Sequence, residues 1–277
     1  TTGLPLVLAA PVLGLIAGLA CALFSKKGNA GMAFVHGLTR SYFAKSPVSG
    51  ATTNYYKQLG RMSRGLAFCT DVAMLILGGE LKRKEMISAR LGDVLSHLYI
   101  ASTVLKRFED EGRQQADLAF VQYSVERNLF EIGQAFDGFF KNFSNPFVNF
   151  LLKRIVFPLG NHYHRPSDNI AQTICEHMTK PGVFRNRLTH LCYVDDNAGT
   201  GVMEQAFAAM NDTAYAFKRI KKWQREGVLN RNASVEVVID EAVEKQLITE
   251  QEGRRLQDAN ELRKQAIAVD NFAKGTL

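Results

Sequence analysis

The chain has 277 residues, of which 46% are hydrophobic and 22% charged, and a net charge of +7. That composition supports a packed core and excludes global disorder, and the length suits one large domain or two small ones. A pI near 9.2 points to an acidic partner, such as a phosphate-bearing ligand or an anionic membrane. Nucleic acid is set aside, because there is no zinc-finger spacing, RNP-like aromatic strand or long basic arm.

Residues 1–24 carry no charge and run into Ser25-Lys26-Lys27. A spanning helix needs about 20 apolar residues, so 4–24 reads first as a membrane-associated segment with lysines on a cytoplasmic flank. Two other readings stay open. Ala20-Cys21-Ala22 resembles a signal-peptide cleavage site, although no basic region precedes it. A buried core helix is the third, weakened by Pro5, Pro11 and several glycines. The first residue is not Met, so the chain reads as processed, truncated or a fragment. Cys21, Cys69, Cys175 and Cys192 are scattered, and free thiols in a reducing compartment are expected.

Ser46-Pro47-Val48-Ser49-Gly50 marks a turn. After it, Tyr55, Leu59, Met62, Leu66, Cys69, Ala73 and Ile76 recur in steps of four and three, which places them on one helical face. Gly78-Gly79 is the expected helix stop. A second stripe is Ile87, Leu91, Val94, Leu98, Ala101, Leu105 and Phe108, ending near Glu111-Gly112. The third is Leu118, Val121, Val125, Leu129, Ile132, Phe136, Phe139 and Phe143, closed by Asn145-Pro146. Three long amphipathic helices with short links predict an antiparallel bundle.

Beyond it, 147–156 is predicted helical, with Pro158 and Gly160 as breakers. Ser167 or Asp168 is expected to cap a helix through Met178, and Lys180-Pro181-Gly182 breaks the chain again. Residues 189–201 are predicted as a loop, 202–223 and 234–245 as helices. A Thr249/Glu252 capping box is expected to start a last helix, to about Ala268. The expected fold is all-α: an antiparallel helix bundle with additional C-terminal helices and an apolar N-terminal helix. The expected division is 1–24, 25–145 for the bundle, and 146–277 packed on it.

Four clusters carry candidate chemistry. Glu80, Lys82, Arg83, Lys84 and Glu85 form a charged knot between two apolar stripes. It is either a phosphate grip or a solvated corner, and the corner is favoured because long basic side chains rarely bury unpaired. His162, His164, Cys175 and His177 lack a standard metal-ligand spacing, and residues two apart on a helix do not face one another. Counting a calcium loop from Asp195, the twelfth position is Ala206 rather than glutamate. Phe217–Arg225 mixes cations with Phe217, Ile220 and Trp223, and an exposed helix is favoured over a membrane-surface one. With neither GxSxG nor GxGxxG, no catalytic, cofactor-binding or metal-ligating residue is assigned.

The stretches SPVSGATTNYYKQLGRMSRGLAF (46–68), LGGELKRKEMISARLGDVLSHLYIASTVLKRFEDEGR (77–113) and NFSNPFVNFLLKRIVFPLGNHYHRPSD (142–168) resemble the C-terminal region of bacterial FadE-type acyl-CoA dehydrogenases. So does the tail from Leu247 to Phe272, which ends in VDNF; the likeness runs from about Leu23 onward. The resemblance implies FAD-dependent oxidation of long- and medium-chain acyl-CoA to trans-2-enoyl-CoA in β-oxidation. It also implies a glutamate base in a Val-Glu-Gly-Ala-Asn-like block. That block and the flavin-contacting segments are expected upstream, so this chain alone is expected to be inactive. The resemblance further implies acyl-CoA contact through the missing body and a homodimer, with the helical region capping the body, packing at the dimer interface or touching the membrane. The expected location is the bacterial inner membrane, or the cytoplasm peripheral to it. Two rivals remain: a membrane-anchored helical interaction protein without activity, and an acyl-CoA or fatty-acid carrier using the bundle core.

Overall fold

The computed structural model describes residues 28–143, 145–195 and 199–268. The apolar 1–24 segment, and with it the membrane, signal and core-helix readings, lies outside them, as does the VDNF tail. Among the described residues there are eleven α-helices and no strand, so the chain is all-α. Chain contacts separate two compact units, dividing between Ile174 and Cys175.

In the first unit, α1 (Asn29–Leu38) follows Gly28, which sits at φ 56° where a side chain would be strained. Then come α2 (Thr53–Leu77), α3 (Glu85–Asp110) and α4 (Leu118–Asn142), of 25, 26 and 25 residues. At ~1.5 Å per residue each is about 38 Å long, and equal lengths let consecutive helices pair end to end. The Thr52 hydroxyl before α2 donates to Glu109 at the far end of α3 (2.8 Å), and His97 of α3 meets Asn128 of α4 (2.8 Å). Tyr55 of α2 donates to Glu126 of α4 (3.0 Å). α3 therefore runs antiparallel to its two neighbours.

The predicted stripes are the core. The buried residues of α3 are the seven predicted ones, Ile87 through Phe108. α2 and α4 bury their stripes too, with Tyr55, Leu66, Ile76 and Leu118 partly covered against the same cluster. Their buried faces are wider than predicted, adding Arg61, Phe68 and Val72 on α2 and Asn128 and Phe140 on α4. A third layer explains this. α1 packs along α2, and α5 (Pro146–Val156) packs on α1, α2 and α4, so α2 has neighbours beyond the three long helices. Phe136, Phe140 and Phe157 form a ring cluster with centroids 5.8–6.2 Å apart.

The breakers act where expected. Gly78 turns the chain at φ 50°, and Gly112 and Gly160 lie at φ 80° and 82°. Asn145 does more than stop α4: its Oδ1 accepts from the N–H groups of Phe147 (3.0 Å) and Val148 (3.2 Å), so it caps α5.

α6 (Asp168–Met178) crosses the division between the units. The second unit continues with α7 (Val183–Thr189), which the sequence pattern does not reveal, α8 (Thr200–Asp212) and α9 (Ala214–Glu226). The single helix expected over 202–223 is broken at Thr213. Its hydroxyl donates back to the Ala209 carbonyl (2.7 Å), a bond that competes with the helix ladder. α10 (Val235–Glu244) and α11 (Glu250–Ile267) match expectation, and the Thr249 side chain accepts from Glu252 N–H (3.2 Å). Ile220, Leu229, Val238, Ile239 and Leu256 form this unit's core.

Candidate functional site

The charged knot lies on a 3-10 turn, Gly78–Lys82, between α2 and α3. Lys82 and Arg83 are exposed, and Lys84 faces Glu80 at 3.8 Å in an exposed pair. The knot is a corner where two buried stripes hand over and the chain meets water.

The histidines do not gather. His162 stacks on Tyr163 (centroids 4.6 Å), His164 is exposed, and His177 packs on Phe184 (5.4 Å). Among the described residues no three His, Cys, Asp or Glu side chains are placed to hold a metal ion. The described cysteines are free thiols. Cys69 is buried, and desolvation pushes its pKa far up, which makes it inert.

The polar centre of the first unit is Arg61, which lies outside the predicted apolar stripe of α2. It is 2% exposed. Its Nη2 donates to the Val156 carbonyl (2.9 Å), and its guanidinium lies over the Phe157 ring (5.6 Å). Nε and Nη1 have no partner, nor does the buried Tyr163 hydroxyl beside them. That hydroxyl lies close enough for the positive charge to oppose the upward push of burial on the phenol, without a hydrogen bond of good geometry. Burial lowers the Arg61 pKa. His36 of α1, 1% exposed, meets Arg64 Nη1 through Nδ1 (2.9 Å). Arginine only donates, so Nδ1 accepts and the ring is neutral with its proton on Nε2, which is unpartnered. Burial first, then Arg64 and Arg61, lowers the His36 pKa. The signal for this centre was Gly65, one turn after Arg61: a Cβ there would lie 3.2 Å from Val156 Cγ1, so α2 and α5 approach closely around it.

In the second unit a pocket of ≈ 620 Å³ is lined by Arg185, His190, Cys192, Tyr193, Met203 and Glu204, among others. Arg185 grips Glu204 with both terminal nitrogens and lies over the Phe207 ring (4.0 Å). That grip holds the Glu204 carboxyl below the usual range. A second, more polar pocket of ≈ 380 Å³ is lined by Lys221, Gln224, Arg225 and Arg231. The stretch 217–225 forms α9, with Ile220 buried and Phe217 and Trp223 packed against the core, so its apolar residues face inward and its cations outward.

The bundle also presents uncovered apolar side chains. On α3, Leu95 is 60% and Tyr99 69% exposed, one helical turn apart, with Met86 and Ile100 also exposed. By length and composition, Thr53–Lys82 is the one stretch among the described residues apolar enough to cross a membrane; much of that apolar surface is its buried face in the bundle core.

Residues 24–272 match the family described as acyl-CoA dehydrogenase, C-terminal, bacterial type. No solved structure matches.

Proposed function

This chain belongs to the bacterial-type acyl-CoA dehydrogenase C-terminal family, and we propose that it is the helical domain of an FAD-dependent enzyme that converts acyl-CoA to trans-2-enoyl-CoA in fatty-acid β-oxidation. The match over 24–272 carries this reading. When bound, the flavin would supply the redox chemistry, and it and a carboxylate base would need a nearly water-free pocket. The residues described here do not fit FAD. The first unit's interior is filled by Phe68, Phe136, Phe139, Phe140 and Phe157, and the two second-unit pockets described above are open surface features. On this reading the base and the flavin site lie upstream in the polypeptide, and none of the described residues is given a catalytic role.

The chain's own contribution is a rigid bundle that docks. Leu95 and Tyr99 support this, because apolar side chains left uncovered on a filled bundle favour burial against a partner surface. The partner is the dehydrogenase body or a second copy in a homodimer, in the cytoplasm or at the inner-membrane face. The test is the complete enzyme carrying Leu95→Asp with Tyr99→Asp. The expected outcome is an unchanged melting transition for the isolated chain and a loss of assembly in the complete enzyme by analytical ultracentrifugation. Unchanged assembly removes the docking face.

A further inference from the structure

The open pocket at the end of α9 is lined by cations. Lys221 and Arg225, one turn apart on α9, and Arg231 from the following loop line it, with Gln224 between them. Neighbouring cations are neutralised: Lys222 pairs with Glu226 (3.7 Å) and Arg219 with Glu252 (3.2 Å). Among the described residues, none of the three pocket cations has a carboxylate partner. Glu241, the carboxylate that touches this loop, accepts from Asn230 N–H (2.9 Å) and Lys245 Nζ (2.7 Å).

The loop is held in place rather than free. Gly227 closes α9 at φ 78°, and Val228 N–H bonds the Trp223 carbonyl (2.9 Å). Gln224 Nε2 donates to the Asn230 carbonyl (3.0 Å). Arg231 Nε donates to the Gln224 carbonyl (2.8 Å) and its Nη2 to the Arg225 carbonyl. Arg231 thus offsets the negative end of the helix and leaves Nη1 uncommitted. A fixed guanidinium beside a flexible ammonium suits a phosphate better than a single carboxylate, since a phosphate monoester carries up to two charges and three acceptor oxygens.

We infer that Lys221, Arg225 and Arg231 form a phosphate-monoester site, independent of the catalytic reading above. Two sources share this chemistry, a soluble ester and a lipid headgroup. The test titrates the full chain at low salt with inorganic phosphate, with coenzyme A (whose ribose carries a 3′-phosphate), with 3′-dephospho-coenzyme A, and with phosphatidylcholine vesicles with and without phosphatidic acid. Each is repeated with Lys221→Gln/Arg225→Gln and with Arg231→Gln, their folds checked by circular dichroism, and with Lys222→Gln, which lies off the pocket. A soluble ester is shown by saturable coenzyme A binding that weakens at least tenfold without the 3′-phosphate and in the Lys221→Gln/Arg225→Gln variant, but not in Lys222→Gln. A headgroup is shown by the same pattern with phosphatidic acid vesicles alone. Equal loss in Lys222→Gln, or no saturable binding to any probe, overturns the site.

Discussion

Arg61 is a full positive charge inside an all-helical core, held by one carbonyl and one aromatic face and otherwise unpaired. Keeping such a charge desolvated is costly, and replacing it with an apolar side chain of similar volume is frequently neutral or stabilising. Arg61→Met removes that charge but leaves the Val156 carbonyl without its donor, so it is expected to cost about 1–2 kcal/mol. Met62→Ala, next to it in the core, is expected to cost about 2–5 kcal/mol. Urea denaturation compares them, and a loss of about 3–5 kcal/mol for Arg61→Met would mean the guanidinium has a strong partner. His36 gives a pH signature. Its native pKa is lowered while its unfolded value is about 6.5, so the unfolded chain takes up the proton first. Stability is then fully present above about pH 6.5 and falls as the pH drops from there toward the native pKa. Denaturant midpoints at pH 7.5 and 5.5 should show that fall, and His36→Gln should reduce it; an unchanged slope contradicts a neutral buried ring. Neither residue announces itself in the sequence. Arg61 stands two places from Leu59 and one from Met62, so a one-sided stripe puts it in water. It is buried because α1 and α5 also pack on α2.

The elements legible in advance are those whose pattern answers one long partner. The α3 stripe is complete because α3 is core on one face and solvent on the other. α7, of seven residues, is too short for a repeating stripe to emerge. The break at Thr213 is hidden because the apolar spacing continues through it, and the Thr213 N–H still bonds the Ala209 carbonyl (3.1 Å). Glycines mark the closest approaches. At Gly133 of α4 an added Cβ would lie 2.7 Å from Asn161 Nδ2, which donates to Asp137 (2.7 Å) while Asn161 Oδ1 accepts from Tyr163 N–H (3.2 Å). Gly133→Ala is thus expected to cost about 1–3 kcal/mol despite alanine's better helix propensity, as overpacking displaces Asn161 and the loop it holds. Gly60, with nothing near its Cβ position, is the control, and Gly60→Ala should stabilise by about 0.5–1 kcal/mol. Thermal melts of the two variants moving in the same direction would contradict this packing.

At the scale of the whole molecule, the all-α class and the family likeness were both readable, because periodicity and a long ordered block of charged and apolar residues survive without coordinates. A catalytic site was not readable, and the described residues offer pockets at the surface of the second unit and a filled interior in the first. The central claim is that this helical chain supports a dehydrogenase whose flavin and base lie elsewhere in the polypeptide. The measurement that tests it most directly is dye reduction with palmitoyl-CoA and added FAD, run on the purified chain and on the complete enzyme. The account predicts turnover by the complete enzyme, and neither turnover nor tight flavin binding by the chain. A chain that retains FAD through gel filtration and reduces the dye contradicts it.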